Sequence, residues 1–232
     1  MPLRLSIIVP TLDEGALTLD CVQHLARLRA VGHELILVDG GSRDLPAGPL
    51  AAAVDCLLVS PPGRAVQMNR GAAAASGEIL WFLHVDSRIP QDADRAIFDA
   101  LAARPGWGRF DIRLSGRHPL LRLVERMMNW RSRISGIATG DQGIFVHRSL
   151  FERIGGYPDQ ALMEDIEISR RLKRLARPHA LRLYLTASSR RWEQQGILRT
   201  ILLMWGLRLA YWLGVSPERL AALYRPCPTT PS

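Results

Sequence analysis

The run Leu35-Ile36-Leu37-Val38-Asp39-Gly40-Gly41-Ser42-Arg43-Asp44 decides the fold. Glu34–Asp39 reads as a strand that ends on a carboxylate, and the two glycines behind it let backbone come close to a ligand. Outward from it the pattern repeats. Leu5–Pro10 reads as a buried strand followed by a helix from about Glu14 to Arg29. Downstream come a strand at Val54–Val59, an Ala-rich helix at Arg64–Ser76 capped by Gly77, and a strand at Ile79–Val85. A helix at Gln91–Ala103 then follows Pro90. Strands separated by helices imply parallel βαβ units and a doubly wound α/β sheet. Ligands bind such sheets in the crevice at the strand ends. Asp39 and Asp86 lie at two of those ends, and Glu164-Asp165 opens a later helix. Carboxylates so placed suit a metal-bound phosphate ligand and a general base.

The second half is less regular. Strands are expected at Trp107–Leu114 and Gln142–His147, and helices at Leu120–Ile134, Glu164–Leu175, Gln194–Leu213 and Pro217–Tyr224. No repeat or long linker divides the chain. It reads as one domain over 1–190, a helical extension over 191–225 packed on it, and a disordered tail at 226–232.

The 232 residues suffice for a full core, and 47% apolar with 22% charged residues is ordinary globular composition. Three cysteines, odd in number and without metal spacing, fit a reducing cytoplasm without disulfides or structural zinc. The apolar run Leu5–Val9 is too short for a signal-peptide core. The net charge of +8 suits polyanions, including nucleotide diphosphates and anionic lipid. The arginines are scattered, and no zinc-finger, helix-turn-helix or aromatic-interleaved motif accompanies them, so nucleic acid is not expected as a partner.

Each motif carries two readings. Pro10-Thr11-Leu12-Asp13-Glu14 can hydrogen-bond a nucleoside or cap a helix. Asp39 to Asp44 can accept from a base or ribose, or form a tight turn. Pro10 to Gly15 is not the G-x-G-x-x-G of a dinucleotide fold, which counts against a nicotinamide or flavin enzyme. Gly63-Arg64-Ala65-Val66-Gln67-Met68-Asn69-Arg70-Gly71 starts a helix with an arginine, which is a diphosphate site or an exposed cation. His84-Val85-Asp86-Ser87 offers two ligands at a strand end for Mg²⁺ or Mn²⁺, or a solvated turn.

Together these motifs resemble family 2 glycosyltransferases. The carriers are Pro-Thr-x-Asp-Glu, Val-Asp-Gly-Gly-Ser-x-Asp, Gly-Arg-x-x-Gln-Met-Asn-x-Gly and Leu-His-x-Asp, then Gly140-Asp141-Gln142-Gly143, Glu164-Asp165 and Arg190-Arg191-Trp192. The likeness covers about residues 4–225 and is strongest to the bacterial branch called transferase 2, radical-SAM/selenodomain-associated. It implies a GT-A fold, with a mostly parallel sheet flanked by helices, that uses a nucleotide-diphosphate sugar and inverts the anomeric centre. By motif position, Pro10, Thr11, Asp13, Glu14, Asp39, Gly41, Arg64 and Asn69 bind the nucleotide. Asp86 and His84 hold Mn²⁺ or Mg²⁺, and Asp165 with Glu164 does the catalysis. Asp141, Gln142, Arg191 and Trp192 meet acceptor or phosphate. His84 stands where many relatives carry an Asp, and Arg190-Arg191-Trp192 lacks the Gln of the processive Gln-x-x-Arg-Trp motif. A nucleotidyltransferase and a catalytically inactive nucleotide-sugar-binding protein are the rival readings. The former wants a Gly-rich basic loop after the first strand, which is absent.

Two helices bear on partners. On a helical projection of Leu120–Ile134, Arg131 falls inside the apolar sector, so it is expected to line the cleft near Asp141 or Glu164 and meet acceptor or phosphate, or to form an internal salt bridge. Gln194–Leu213 is too short and too charged for a membrane span, with Arg199 and Arg208 on opposite faces. A helix packed on its own domain, with spare apolar surface for a membrane or a second subunit, fits it best. A lipid-linked acceptor and a peripheral cytoplasmic location accompany that reading.

Overall fold

A computed structural model of the chain describes residues 3–102 and 104–224. Four parallel strands form its first half: β1 (Leu5–Thr11), β2 (Glu34–Asp39), β3 (Cys56–Val59) and β4 (Ile79–Phe82). Because alternate side chains point to opposite faces, each strand feeds two cores. Ile7, Val9, Leu35, Leu37 and Trp81 pack under α1 (Gly15–Ala30), α2 (Ala47–Ala53) and α4 (Ala93–Leu101). Ile8, Ile36, Val38, Leu80 and Phe82 pack under α3 (Arg64–Ala74), α6 (Arg148–Arg153) and α7 (Glu164–Leu175). Gly71 allows α3 to lie this close, since a Cβ there would stand 2.5 Å from Ile8 Cγ2.

With β5 (Trp107–Leu114), β6 (Phe145–His147) and β7 (His179–Ala187), the sheet order is β3-β2-β1-β4-β6-β5-β7, and β6 alone of the seven runs antiparallel. The chain steps from β1 outward to β3 and then returns to the other side of β1 for β4. The loops after β1 and β4 therefore diverge, which is the switch point where open α/β sheets form a crevice.

β6 is short and pairs with β5 only at Trp107 and Gly108. The rest of that β5 edge is satisfied by side chains of α5 (Pro119–Ser135). Asn129 accepts from Ile112 N at 2.8 Å and donates to Ile112 O at 3.0 Å. Glu125 accepts from Leu114 N, and Arg122 donates to Leu114 O at 2.6 Å. An unpaired buried backbone group is costly, so the helix turns its polar sector to the sheet. Leu123, Met127, Trp130 and Ile134, half of the apolar sector, face outward as a result.

Several elements depart from the sequence expectation. β4 stops at Phe82, and His84 to Ser87 form a turn closed by Ser87 N to His84 O at 3.0 Å. The Ala-rich helix ends at Ala74. Gly77 is not its cap but donates to Ser6 Oγ at 2.8 Å, where a Cβ would stand 2.5 Å from Arg4 O. Residues Gly140–Gln142 form a 3-10 turn in place of the start of a strand, because the Gln142 side chain folds back to accept from Thr139 N. The expected helix over 194–213 is two, α8 (Arg190–Gln195) and α9 (Ile197–Trp212), broken at Gly196 with φ 84°. A last helix, α10, spans Pro217–Leu223. The short helices α2 and α6 and the strand β7 have no counterpart in the sequence reading. Arg225 and the expected tail at 226–232 lie outside the described residues.

Candidate active site

The tips of β1 and β2 are stitched together before any ligand is considered. Thr11 and Asp39 sit in register. Gln67 of α3 donates to both Thr11 O and Val38 O at 2.8 Å. Asp39 Oδ1 accepts from Ser42 N (2.9 Å) and Ser42 Oγ (2.6 Å), and Ser42 Oγ accepts from Asp13 N. Asp13, at φ 51°, accepts from Arg43 N at 3.0 Å, and Gly15 N donates to Asp44 Oδ2 at 2.9 Å. Gly41 holds φ 94°, a conformation that favours glycine. Pro10, Thr11, Asp13, Asp39 and Gly41 thus build a rigid double loop, and Glu14 is the member that reaches the cleft beside it. Asn69 does not line that cleft. It clamps the loop ahead of α7, donating to Tyr157 O and accepting from Tyr157 N at 2.9 Å each.

The cleft has a volume of about 560 Å³ and gathers Glu14, Arg64, His84, Asp86, Asp141, Glu164 and Asp165. Arg131, Arg191 and Trp192 also line it, so most of the residues singled out from sequence converge there. Arg64 faces Glu164, Asp165 and Asp86. Burial raises the Asp86 carboxyl above its ordinary range against the pull of Arg64, and burial together with Asp86 raises Glu14. His84 is held neutral, with its pKa pushed down to about 3 by burial and then by Arg64. Its Nε2 lies 2.7 Å from where a Cβ on residue 140 would stand, which is why glycine occupies that place.

Glu164 and Asp165 begin α7, whose amide dipoles favour negative charge. They are presented by Met163, which is left-handed at φ 66° and buried against Leu207 of α9 and Leu220 of α10. Burial and then the charge of Asp165 raise Glu164 to about 7. Asp165 Oδ2 accepts from Gly140 N at 2.9 Å and Oδ1 from Ile166 N at 2.7 Å, so the carboxylate is fixed with lone pairs left over. Asp141 beside it is raised mainly by burial. Gln142, expected at acceptor or phosphate, is fully buried. It reaches Phe110 O at 3.5 Å and supports the turn without lining the cleft.

Arg208 and Tyr224 line the cleft without having been singled out as site residues, and Arg190 lines it with the rest of its motif. Arg190 stands 3.9 Å from Glu14, and Tyr224 lies under the Arg191 guanidinium at 3.7 Å. The available signal for Arg208 was its place opposite Arg199 on one helix, which leaves one of the two facing the domain.

Residues 6–147 match the family described as Glycosyl transferase family 2. The chain belongs to that family. A PGL/p-HBAD biosynthesis glycosyltransferase of Mycobacterium tuberculosis is 35% identical to this family 2 chain over 91 residues, which is 36% of each chain. The structure of Staphylococcus aureus TarS 1–349 in complex with UDP-GlcNAc superposes with a TM-score of 0.64 at 19% identity, covering 80% of this chain and 58% of that one. The mannosyltransferase PcManGT of Pyrobaculum calidifontis, in complex with GDP-Man and Mn²⁺, gives 0.62 at 21% identity over 96% of this chain and 68% of that one. At such identities these two share the GT-A glycosyltransferase fold with it. Among the described residues no helix is long and apolar enough to cross a membrane.

Proposed function

We propose that this chain transfers a sugar from a nucleotide-diphosphate donor to an acceptor hydroxyl with inversion, Asp165 acting as the base. The observation that carries the reading is the cleft's set of charges. A fixed carboxylate, Asp165, lines the same cleft as the Arg64 guanidinium and the Asp86 carboxylate, which suit a diphosphate and its counter-ion. Asp165 takes the proton of the acceptor hydroxyl while its oxygen attacks the anomeric carbon from the face opposite the diphosphate. The bond from that carbon to the diphosphate oxygen breaks and the nucleoside diphosphate leaves. Base assistance of this kind is worth about 10²–10⁴-fold. The double loop at Thr11, Asp39 and Glu14 is rigid and adjoins the cleft, as a nucleoside site requires.

A divalent cation fits the donor set. The Asp86 carboxylate and the neutral His84 imidazole both face the cleft. No group of three or more His, Cys, Asp or Glu able to hold a metal occurs among the described residues, so the ion would complete its shell from the diphosphate and water. Bound there, Mn²⁺ or Mg²⁺ offsets charge on the leaving diphosphate. The order of motifs supports the radical-SAM-associated branch within the family. The family assignment sets the nucleotidyltransferase reading aside.

The surroundings of the cleft support a membrane-surface enzyme. Leu198, Leu202, Trp205, Leu209 and Trp212 form an exposed stripe on α9, beside the exposed residues of α5. Three exposed tryptophans (Trp130, Trp205 and Trp212) on a chain of charge +8 suit an anionic bilayer, and this supports a lipid-linked acceptor.

Nucleotide binding tests the donor reading. A thermal-shift series of UDP, GDP, TDP and CDP with Mn²⁺, Mg²⁺ or chelator is expected to single out one base. A ligand at one hundred times its Kd adds about 2.7 kcal/mol, or about 5–10 °C of Tm for this size. The shift should need metal in the wild type and disappear in Asp86→Ala. A folded protein that shifts with no nucleotide under any condition would falsify the donor assignment.

A further inference from the structure

One wall of the cleft holds two cations in apolar surroundings. Arg131 comes from α5 and Arg208 from α9, and both line the cleft with Met127, Met128, Met204 and Trp205. Nε and Nη2 of Arg131 and Nε of Arg208 are closed off from solvent and donate to no acceptor. Neither side chain forms an ion pair among the described residues. The nearby carboxylates do not remove the need. Asp165 already accepts from two backbone amides, and Asp141, raised by burial although Arg208 and Arg131 pull it down, leaves its own buried Oδ1 without a donor and pairs with neither arginine. Burial, followed by the charge of Arg208, pushes the pKa of Arg131 down to about 10, so each cation raises the cost of the other. Buried donors left unpaired each cost about 1–3 kcal/mol, more when charged, and an anion that accepts from both arginines removes that cost.

The shape of the wall adds a second requirement. Met127, Trp130 and Trp205 line the cleft and are also solvent-exposed, so its mouth opens between the outward apolar residues of α5 and α9. We propose that this wall is a subsite for an amphiphilic anion: Arg131 and Arg208 grip a phosphate head, and the hydrocarbon chain runs past Met127, Met204 and Trp205 to the mouth. That this ligand is the acceptor or carries it rests on the transferase reading; the subsite itself stands on the arginines and the wall.

The test is calorimetric binding of decyl phosphate below its micelle concentration, compared with decanol and with glycerol 3-phosphate. Decyl phosphate should bind at least ten-fold tighter than either. Arg131→Gln with Arg208→Gln should bring it down to the level of decanol while nucleotide binding persists. Inorganic phosphate should displace decyl phosphate from the wild type, which tests the head group even if the double variant does not fold. Decyl phosphate no tighter than decanol, or insensitive to phosphate, overturns the anion site. Glycerol 3-phosphate binding as tightly as decyl phosphate assigns a soluble phosphate ester and overturns the amphiphile. Decyl phosphate bound as proposed by a protein that binds no nucleotide keeps the subsite and removes the transferase reading, whereas the reverse result removes the subsite alone.

Discussion

Glu164 and Asp165 are neighbours at one helix start, yet their surroundings separate them. Asp165 receives two amide hydrogen bonds, while Glu164 is buried beside its charge and is raised to about 7 from an ordinary 4.5. A raised carboxyl adds stability below its unfolded pKa and loses that contribution as pH climbs through the folded value, here from about 4.5 to about 7. Glu164→Gln is therefore expected to raise stability above pH 7 by on the order of 3 kcal/mol, and Tm with it, with the gain vanishing towards pH 5. Melting curves of both proteins across that range check it, and a constant offset at every pH would contradict the burial of an ionisable Glu164. Asp86 and Arg131 drew notice at this scale because a carboxylate at a strand end, or a cation in an apolar helical sector, is anomalous unless something uses it, whereas Asp165 and Arg64 were singled out by motif resemblance. Arg208 was not legible as a site residue. Its role depends on Arg131 across a helix-helix contact, and one-dimensional spacing does not show that neighbour.

Elements follow the same rule, that local pattern is readable and pairing is not. The run Glu34–Asp39 and the helix Glu164–Leu175 form as expected, because continuous apolar residues and a charged first turn are local signals. β7 carried its own signal, with Leu181, Leu183 and Leu185 alternating with Arg182, Tyr184 and Thr186, but it sits among charges and is only half-buried. The orientation of α5 could not be read. A polar sector ordinarily faces water, but here Arg122, Glu125 and Asn129 serve a strand edge that β6 is too short to cover. That arrangement leaves apolar residues outward on α5 alongside those on α9. Flotation with anionic vesicles at low salt should carry the wild type upward. Leu202→Ser with Trp212→Ser, at positions 71% and 81% exposed and outside the cleft, should cut the bound fraction at least ten-fold. Unchanged flotation, or a wild-type dimer in solution that the double variant dissociates, would give the ridge to another role.

Across the whole molecule, the half that binds the nucleotide in this account is the half that was readable. The first four strands alternate with helices and force a parallel sheet, and a parallel sheet with a reversal of order forces a crevice at its strand ends. The acceptor side is built from distant pieces: β5 and β7, the 3-10 turn at Gly140, and α9 and α10 pressed on Met163. Few of those meetings are visible in spacing, which is why Gly140 beside His84 and Met163 in a left-handed conformation had no sequence signal. The central claim joins both halves, a donor held by the first and a base supplied by the second. Asp165→Asn measures that join, with nucleotide affinity and sugar transfer or donor hydrolysis followed in the same sample. The account predicts affinity within about two-fold of wild type and turnover lower by about 10²–10⁴-fold, the contribution of a general base. Turnover at the wild-type rate with nucleotide still bound would contradict it.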